Sequence, residues 1–175
     1  RRLNEINTRD DVQKYIKKNN PLMLFNLTEI QLGLDLFIDT FEDIKIINVI
    51  RNGYDVAADV KTKNWFSDNQ LIKPIKALPY KIYEYKKKVF YLPWWIKKNE
   101  EKKFLEYNVY ERGLYYWCQN IKLEEDFFKS ISTERYRIVN FKDILTRTNE
   151  VLREICEFLS IKPTVKSDQI VKSII

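Results

Sequence analysis

The pattern of apolar and polar positions alternates between helical and strand-like spacing along the chain. Apolar residues at helical spacing, with polar or acidic residues at the predicted starts, indicate helices, and short runs rich in β-branched residues indicate strands. The predicted helices are 10–18, one capped by Thr28, one running from about residue 56, 101–128, and one capped by Thr146 or Thr148; the predicted strands are 22–27, 44–50 and 135–140. This alternation predicts an α/β fold with a mostly parallel sheet flanked by helices.

The clearest strand leads directly into a cationic side chain. Residues 44–50 read I-K-I-I-N-V-I, a nearly continuous apolar run of the kind found in strands covered on both faces. In parallel sheets ligands bind outside the carboxyl ends of the strands, where Arg51 stands and where its guanidinium can hold a phosphate or sulfate. Gly53 then allows a tight turn into the next helix. The alternative is that Arg51 only pairs with Asp55 or Asp59.

The middle of the chain, 64–103, shows no steady period and is predicted to be an irregular insertion. Its stretch 80–95 interleaves seven aromatic residues with four lysines. Aromatic faces and cations together can bind a sugar, a sulfated polymer or single-stranded nucleic acid. The favoured alternative is that most of the rings pack on the core while the lysines face water.

Composition narrows the function classes. With 175 residues, 45% hydrophobic and 32% charged, the chain is predicted to form one ordered domain, 1–175. A net charge of +6 favours an anionic partner. The absence of histidine excludes the Ser-His-Asp and Cys-His nucleophile pairs and the histidine-containing metal sites, so we expect no metal. No apolar run approaches the roughly 18 residues of a membrane span, and we expect a cytoplasmic protein.

Three further side chains are candidates for chemistry. Cys118 and Cys156 fall inside helical apolar patterns, so both are predicted to be buried reduced thiols, with a bridge between them as the alternative. Glu111 falls on the apolar stripe of helix 101–128, where burial would raise its pKa and suit it to base catalysis. The favoured alternative for Glu111 is a structural ion pair.

Residues 44–59, I-K-I-I-N-V-I-R-N-G-Y-D-V-A-A-D, resemble the 3′-phosphate-binding segment of sulfotransferases that use 3′-phosphoadenosine 5′-phosphosulfate (PAPS). That segment is an apolar strand followed by Arg, Asp or Asn, Pro or Gly, a variable residue, Asp-Val-Ala, and a Ser in the second helical turn. Other stretches resemble the family in the family's order, and the last of them is similar to its tyrosylprotein branch: 41–43, 111–117, 137–145, 157–161 and 167–172.

The resemblance implies a P-loop-like three-layer fold and transfer of a sulfuryl group from PAPS to an acceptor hydroxyl or amine. The acceptor stays open between carbohydrate, protein tyrosine, lipid and small molecule. Arg51 would bind the 3′-phosphate, and Asp59 stands where the family has its phosphate-binding serine. The family's 5′-phosphosulfate loop and catalytic lysine are expected upstream of Arg1, which would leave the fold N-terminally incomplete and its catalytic residues unassigned in this chain.

Two other functions remain open. One is a nucleic-acid or polyanion-binding module built on the basic aromatic stretch, with nucleic acid the less favoured partner. The other is a sulfotransferase-like protein without turnover, because the carboxylate of Asp59 would repel a phosphate.

Overall fold

The computed structural model describes residues 8–19, 24–26, 33–74 and 79–162, and the chain divides into two compact units, Arg1–Ile30 and Gln31–Ile175. The helices are α1 Arg9–Asn19, α2 Leu34–Thr40, α3 Gly53–Lys63, α4 Asp68–Leu71, α5 Glu101–Glu106, α6 Val109–Phe128, α7 Phe141–Thr146 and α8 Thr148–Leu159. The strands are β1 Ile46–Ile50, β2 Tyr80–Tyr85, β3 Lys88–Pro93 and β4 Tyr136–Asn140.

The first unit contributes α1, which forms where the helix 10–18 is predicted. Thr8 and Asp11 stabilise its start, since the Thr8 hydroxyl donates to the Asp11 carboxylate at 2.7 Å and accepts the Asp11 backbone N–H at 3.2 Å. Of the predicted strand 22–27, residues 24–26 are described and belong to neither a helix nor a strand. The rest of that strand, the predicted cap Thr28 and the stretch 167–172 lie outside the described residues.

In the second unit β1 and β4 pair in parallel, in a register that runs from Ile46 opposite Tyr136 to Ile50 opposite Asn140. This pairing confirms the predicted strands 44–50 and 135–140 and shows that they are parallel neighbours. The prediction of a mostly parallel sheet is corrected to a mixed α/β architecture, because the other sheet among the described residues is an antiparallel pair. Val49 is 48% exposed, so one face of β1 is covered only in part by the described elements, and not fully as predicted.

Helices lie against both faces of the parallel pair. On one face, the Asn48 amide donates to the Glu124 carboxylate of α6 at 2.9 Å. On the other face, the Phe158 ring of α8 receives Lys45 Nζ at 5.1 Å and the Arg137 guanidinium at 5.4 Å from its centroid. The parallel pair is therefore held between α6 and α8.

The stretch predicted to be an irregular insertion contains a regular hairpin, in which β2 and β3 are antiparallel. Its two-residue turn places Lys86 and Lys87 at φ values of 49° and 61°, a conformation in which glycine and asparagine are the usual residues. The hairpin covers the main buried cluster of the second unit, which comprises Leu71, Phe90, Leu92, Trp95, Ile96, Phe104 and Leu105. The stretch 64–103 therefore contributes much of the hydrophobic core of the second unit.

The long helix predicted over 101–128 is two helices, α5 and α6. Tyr107 is extended, and Asn108 caps α6 by accepting the Glu111 N–H at 3.1 Å, while the Glu111 carboxylate accepts the Asn108 N–H at 2.8 Å. This reciprocal capping box satisfies two backbone donors and starts a new helix. None of the described helices, α6 included, is long and apolar enough to cross a membrane.

α6 and α3 approach each other closely at Gly113. A Cβ atom on Gly113 would lie 2.9 Å from the Ala57 Cα and 3.1 Å from the Val60 Cβ. Without a side chain at Gly113, the α6 backbone can lie directly against the Ala57 backbone and the Val60 side chain. This contact packs α3, which begins just after β1, against α6.

Candidate anion site at the strand ends

The candidate site begins where β1 ends and α3 starts. Asn52 caps α3 by accepting the Tyr54 backbone N–H on its side-chain oxygen at 2.8 Å. Asp55 lies in the first turn, where its negative charge complements the helix dipole. The first backbone N–H groups of a helix have no intrahelical acceptor, so this helix start can donate to an anion.

Gly53 is required by a close contact with another helix. A Cβ atom here would lie 2.8 Å from the ring of Trp117 on α6, nearer than real side chains approach. Neither Gly53 nor any other described glycine has a positive φ, so the expected reason for Gly53, freedom for a tight turn, is wrong. The Trp117 indole N–H also donates to the Arg51 carbonyl at 2.9 Å, so Trp117 supports the segment from both sides of Asn52.

The Arg51 side chain forms a salt bridge with Asp59, one of the two pairings weighed from the sequence. The partners are 41% and 46% exposed, so the pair is accessible to a dissolved ligand. The guanidinium also lies over the Phe141 ring, 5.7 Å from its centroid. The structure therefore brings the two predicted binding residues together, and their role toward a cofactor stays a prediction.

Phe141 enters the site because β4 ends beside β1. Asn140 lies opposite Ile50 in the sheet register and caps α7 by accepting the Lys142 N–H at 2.9 Å. The next side chain, Phe141, then reaches Arg51. Sequence reasoning missed this contact, although the signal was present: both residues directly follow predicted parallel strands, whose carboxyl ends meet at one edge.

The donor set suits a phosphate-sized anion. A guanidinium presents a planar fork of N–H donors that matches phosphate oxygens, and the start of α3 adds oriented N–H groups. Asp59 weakens anion binding here, because its carboxylate already pairs with the guanidinium and repels a second anion. The residues thus fit a phosphate-sized anion, with Asp59 as a competitor for Arg51.

Two other candidates do not belong to this site. Glu111 is exposed, and its carboxylate caps α6, so the predicted place on a buried stripe is wrong. The catalytic role was argued from burial and therefore loses its basis. Cys156 is buried as predicted, but Cys118 is exposed, and both are free thiols, which excludes the alternative of a bridge between them.

Most rings of the basic aromatic stretch are committed to packing. Phe90 and Trp95 are 3% and 8% exposed, and Tyr83, Tyr85 and Trp94 contact the same core. This confirms the favoured interpretation for most of the rings, whereas one of the four lysines, Lys81, donates to the Ile96 carbonyl and does not face water. On α6, the pKa of Tyr115 is raised to about 12. Burial is the larger cause, and the second is the 2.5 Å hydrogen bond that the phenol donates to Glu100.

Comparisons with known proteins give one informative match. No protein-family model and no curated protein matches the chain. A solved structure, the sulfotransferase domain from the curacin biosynthetic pathway, superposes with a TM-score of 0.56 over 90% of this chain at 13% sequence identity. The chain spans 46% of that structure's length. The match supports the resemblance to sulfotransferases but not the narrower similarity to the tyrosylprotein branch. At this identity the likeness concerns architecture, and the chain has the α/β fold of a sulfotransferase domain over most of its length.

Proposed function

We propose that the chain binds a 3′-phosphorylated adenosine nucleotide at the ends of β1 and β4 and takes part in sulfuryl transfer from PAPS to an acceptor hydroxyl or amine. The observation that carries the proposal is the position of Arg51, at the carboxyl end of a parallel strand and directly before the start of α3, in a chain with a sulfotransferase fold. An anion held there meets both a guanidinium and a helix N-terminus.

In this proposal Arg51 is a binding residue. The bound nucleotide supplies the activated sulfuryl group, while Arg51 holds the 3′-phosphate at the far side of the adenosine. Because that contact is the same before and during transfer, its loss raises the KM for the nucleotide and leaves kcat nearly unchanged. The Phe141 ring stabilises the guanidinium through a cation–π contact.

Asp59 favours a second candidate, a nucleotide-binding sulfotransferase-like protein without turnover. Its salt bridge with Arg51 must be broken or shared when a phosphate arrives, which lowers the affinity for the nucleotide. A sulfuryl-transfer assay on a protein that binds the nucleotide separates this candidate from the active enzyme.

The polyanion-binding alternative receives less support. Its aromatic rings lie mostly in the core, where they cannot stack on a polymer. The lysines of the hairpin turn remain exposed, so binding of a polyanion through them would depend steeply on salt.

The experiment measures thermal stabilisation by adenosine 3′,5′-bisphosphate at a fixed salt concentration. We expect a saturable rise in Tm for the wild-type protein and for the control Arg153→Ala, which removes an exposed arginine on α8. Arg51→Ala should weaken binding about 10- to 100-fold, the loss typical of a charge-assisted phosphate contact. No response of the wild type, together with salt-sensitive binding of heparin, would favour the polyanion module, and an unchanged affinity in Arg51→Ala would contradict the role of Arg51.

A further inference from the structure

Trp117 joins the candidate site to the long helix of the second unit. Its indole N–H donates to the Arg51 carbonyl at 2.9 Å, and its ring lies against Gly53 so closely that no Cβ atom fits between them. These contacts fall on the residues that flank Asn52, the cap of α3. One side chain of α6 therefore contacts the turn between β1 and α3 on both sides of its capping residue.

The two contacts restrict the turn in different ways. The hydrogen bond fixes the plane of the peptide that follows Arg51, because the carbonyl must point at the indole nitrogen. The ring sets how far the start of α3 can move toward α6. Together they restrict the backbone of Arg51, whose half-exposed guanidinium pairs with Asp59 of α3 and lies over the Phe141 ring.

We infer that Trp117 is a positioning residue of the nucleotide site, acting on the bound 3′-phosphate through the backbone of Arg51. The inference rests on the proposed function and extends it to a residue that acts through Arg51. Preorganisation of this kind raises affinity because less freedom is lost when the ligand binds.

The test separates the indole N–H from the ring. Trp117→Phe keeps an aromatic ring next to Gly53 but has no N–H donor for the Arg51 carbonyl. We expect it to fold and to bind adenosine 3′,5′-bisphosphate about 3- to 10-fold more weakly, the usual value of one hydrogen bond. The matched control is Trp65→Phe, which changes a tryptophan that is 48% exposed and belongs to the turn after α3. We expect the control to bind as the wild type does.

A spectroscopic measurement distinguishes positioning from a general loss of stability. The chain has four tryptophans, so a ¹⁵N-labelled protein gives four indole N–H resonances. Titration with adenosine 3′,5′-bisphosphate should shift the Trp117 resonance, because its acceptor belongs to the residue that holds the phosphate. If Trp117→Phe does not fold, the Trp117 resonance is assigned by elimination, from variants in which Trp65, Trp94 and Trp95 are each changed to Phe.

The outcomes distinguish this inference from the proposed function. If the wild type does not bind the nucleotide, or if Arg51→Ala binds equally well, the proposed function fails. If both behave as expected while Trp117→Phe binds as tightly as the wild type, or while the Trp117 resonance does not move, the positioning role is overturned. Weaker binding by Trp117→Phe and a shifted Trp117 resonance, with an unchanged Trp65→Phe control, support it.

Discussion

Arg112 is a buried cation that ties three segments of the second unit together, and replacing it with lysine tests how the core is held. The side chain is 4% exposed. It donates to the Phe104 carbonyl at 3.1 Å, to the Leu105 carbonyl at 2.6 Å and to the Phe66 carbonyl at 2.6 Å. It also contacts the Asp68 carboxylate at 2.8 Å. The guanidinium thus connects α6 with the end of α5 and with the turn after α3.

The cost of Arg112→Lys follows from the geometry of the two head groups. An ammonium group is a compact point charge and cannot reach carbonyls on two separate segments, so at least one carbonyl, that of Phe66 or that of Leu105, loses its partner. A buried carbonyl left unpaired costs about 1–3 kcal/mol, so we expect a loss of at least this size in the free energy of unfolding. That is a large share of the roughly 5–15 kcal/mol available to a domain.

Asp68→Asn is the matched control. The Asp68 side chain is 57% exposed, so its ion pair with Arg112 is largely solvated and should contribute about 0.2–1 kcal/mol. Both variants are compared with the wild type by urea unfolding followed by circular dichroism at 222 nm. The reasoning is refuted if Arg112→Lys costs less than about 1 kcal/mol, or if Asp68→Asn costs as much as Arg112→Lys.

Three further predictions concern single substitutions. Asp59→Ser removes the competitor for the guanidinium and should tighten binding of adenosine 3′,5′-bisphosphate about 5- to 10-fold by calorimetry; unchanged or weaker binding would contradict the competition. The Tyr115 pKa is raised, so the protonated phenol contributes stability that is present below pH 10 and is lost as the pH rises toward about 12. The free energy of unfolding, measured in urea, should therefore fall less above pH 10 for Tyr115→Phe than for the wild type. An equal fall in both proteins would contradict this prediction. Gly113→Ala brings a Cβ atom to 2.9 Å from the Ala57 backbone, and the strain of about 1–3 kcal/mol should exceed the gain of about 1 kcal/mol in helix propensity. A higher Tm for Gly113→Ala would show that α3 and α6 separate without cost.

The parts of the fold predicted well carry local signals. The strand predicted at 44–50 is observed as Ile46–Ile50, and the one predicted at 135–140 as Tyr136–Asn140, because runs of β-branched and apolar residues define strands without reference to the rest of the chain. The helix predicted at 10–18 is likewise observed as Arg9–Asn19, with its acidic start.

The hairpin of β2 and β3 was missed for two physical reasons. Its turn residues are Lys86 and Lys87, which carry none of the Asn-Gly signal that marks such turns. The strand Tyr80–Tyr85 does alternate in burial, but aromatic residues stand at both exposed and covered positions, so its hydropathy does not alternate cleanly. Packing against the core decides its structure.

The site was predicted in part. The position of Arg51 at a strand end follows from the apolar run that precedes it, and the Asp59 salt bridge was one of two pairings considered. The contact with Phe141 was missed although both residues follow predicted parallel strands, whereas the contact with Trp117 could not be predicted, because it depends on which helix packs against the turn between β1 and α3. Tertiary packing, which spacing along one chain does not encode, sets those contacts.

The central claim is that Arg51 receives the 3′-phosphate of an adenosine nucleotide, and a ligand-and-variant cycle by calorimetry tests it most directly. Adenosine 3′,5′-bisphosphate and adenosine 5′-monophosphate differ only in the 3′-phosphate, so the ratio of their Kd values isolates that group. We expect the wild type to prefer the bisphosphate by about tenfold or more, and Arg51→Ala to bind the two nucleotides nearly equally. The same ratio in both proteins would contradict the account, because the 3′-phosphate would then be held by residues other than Arg51.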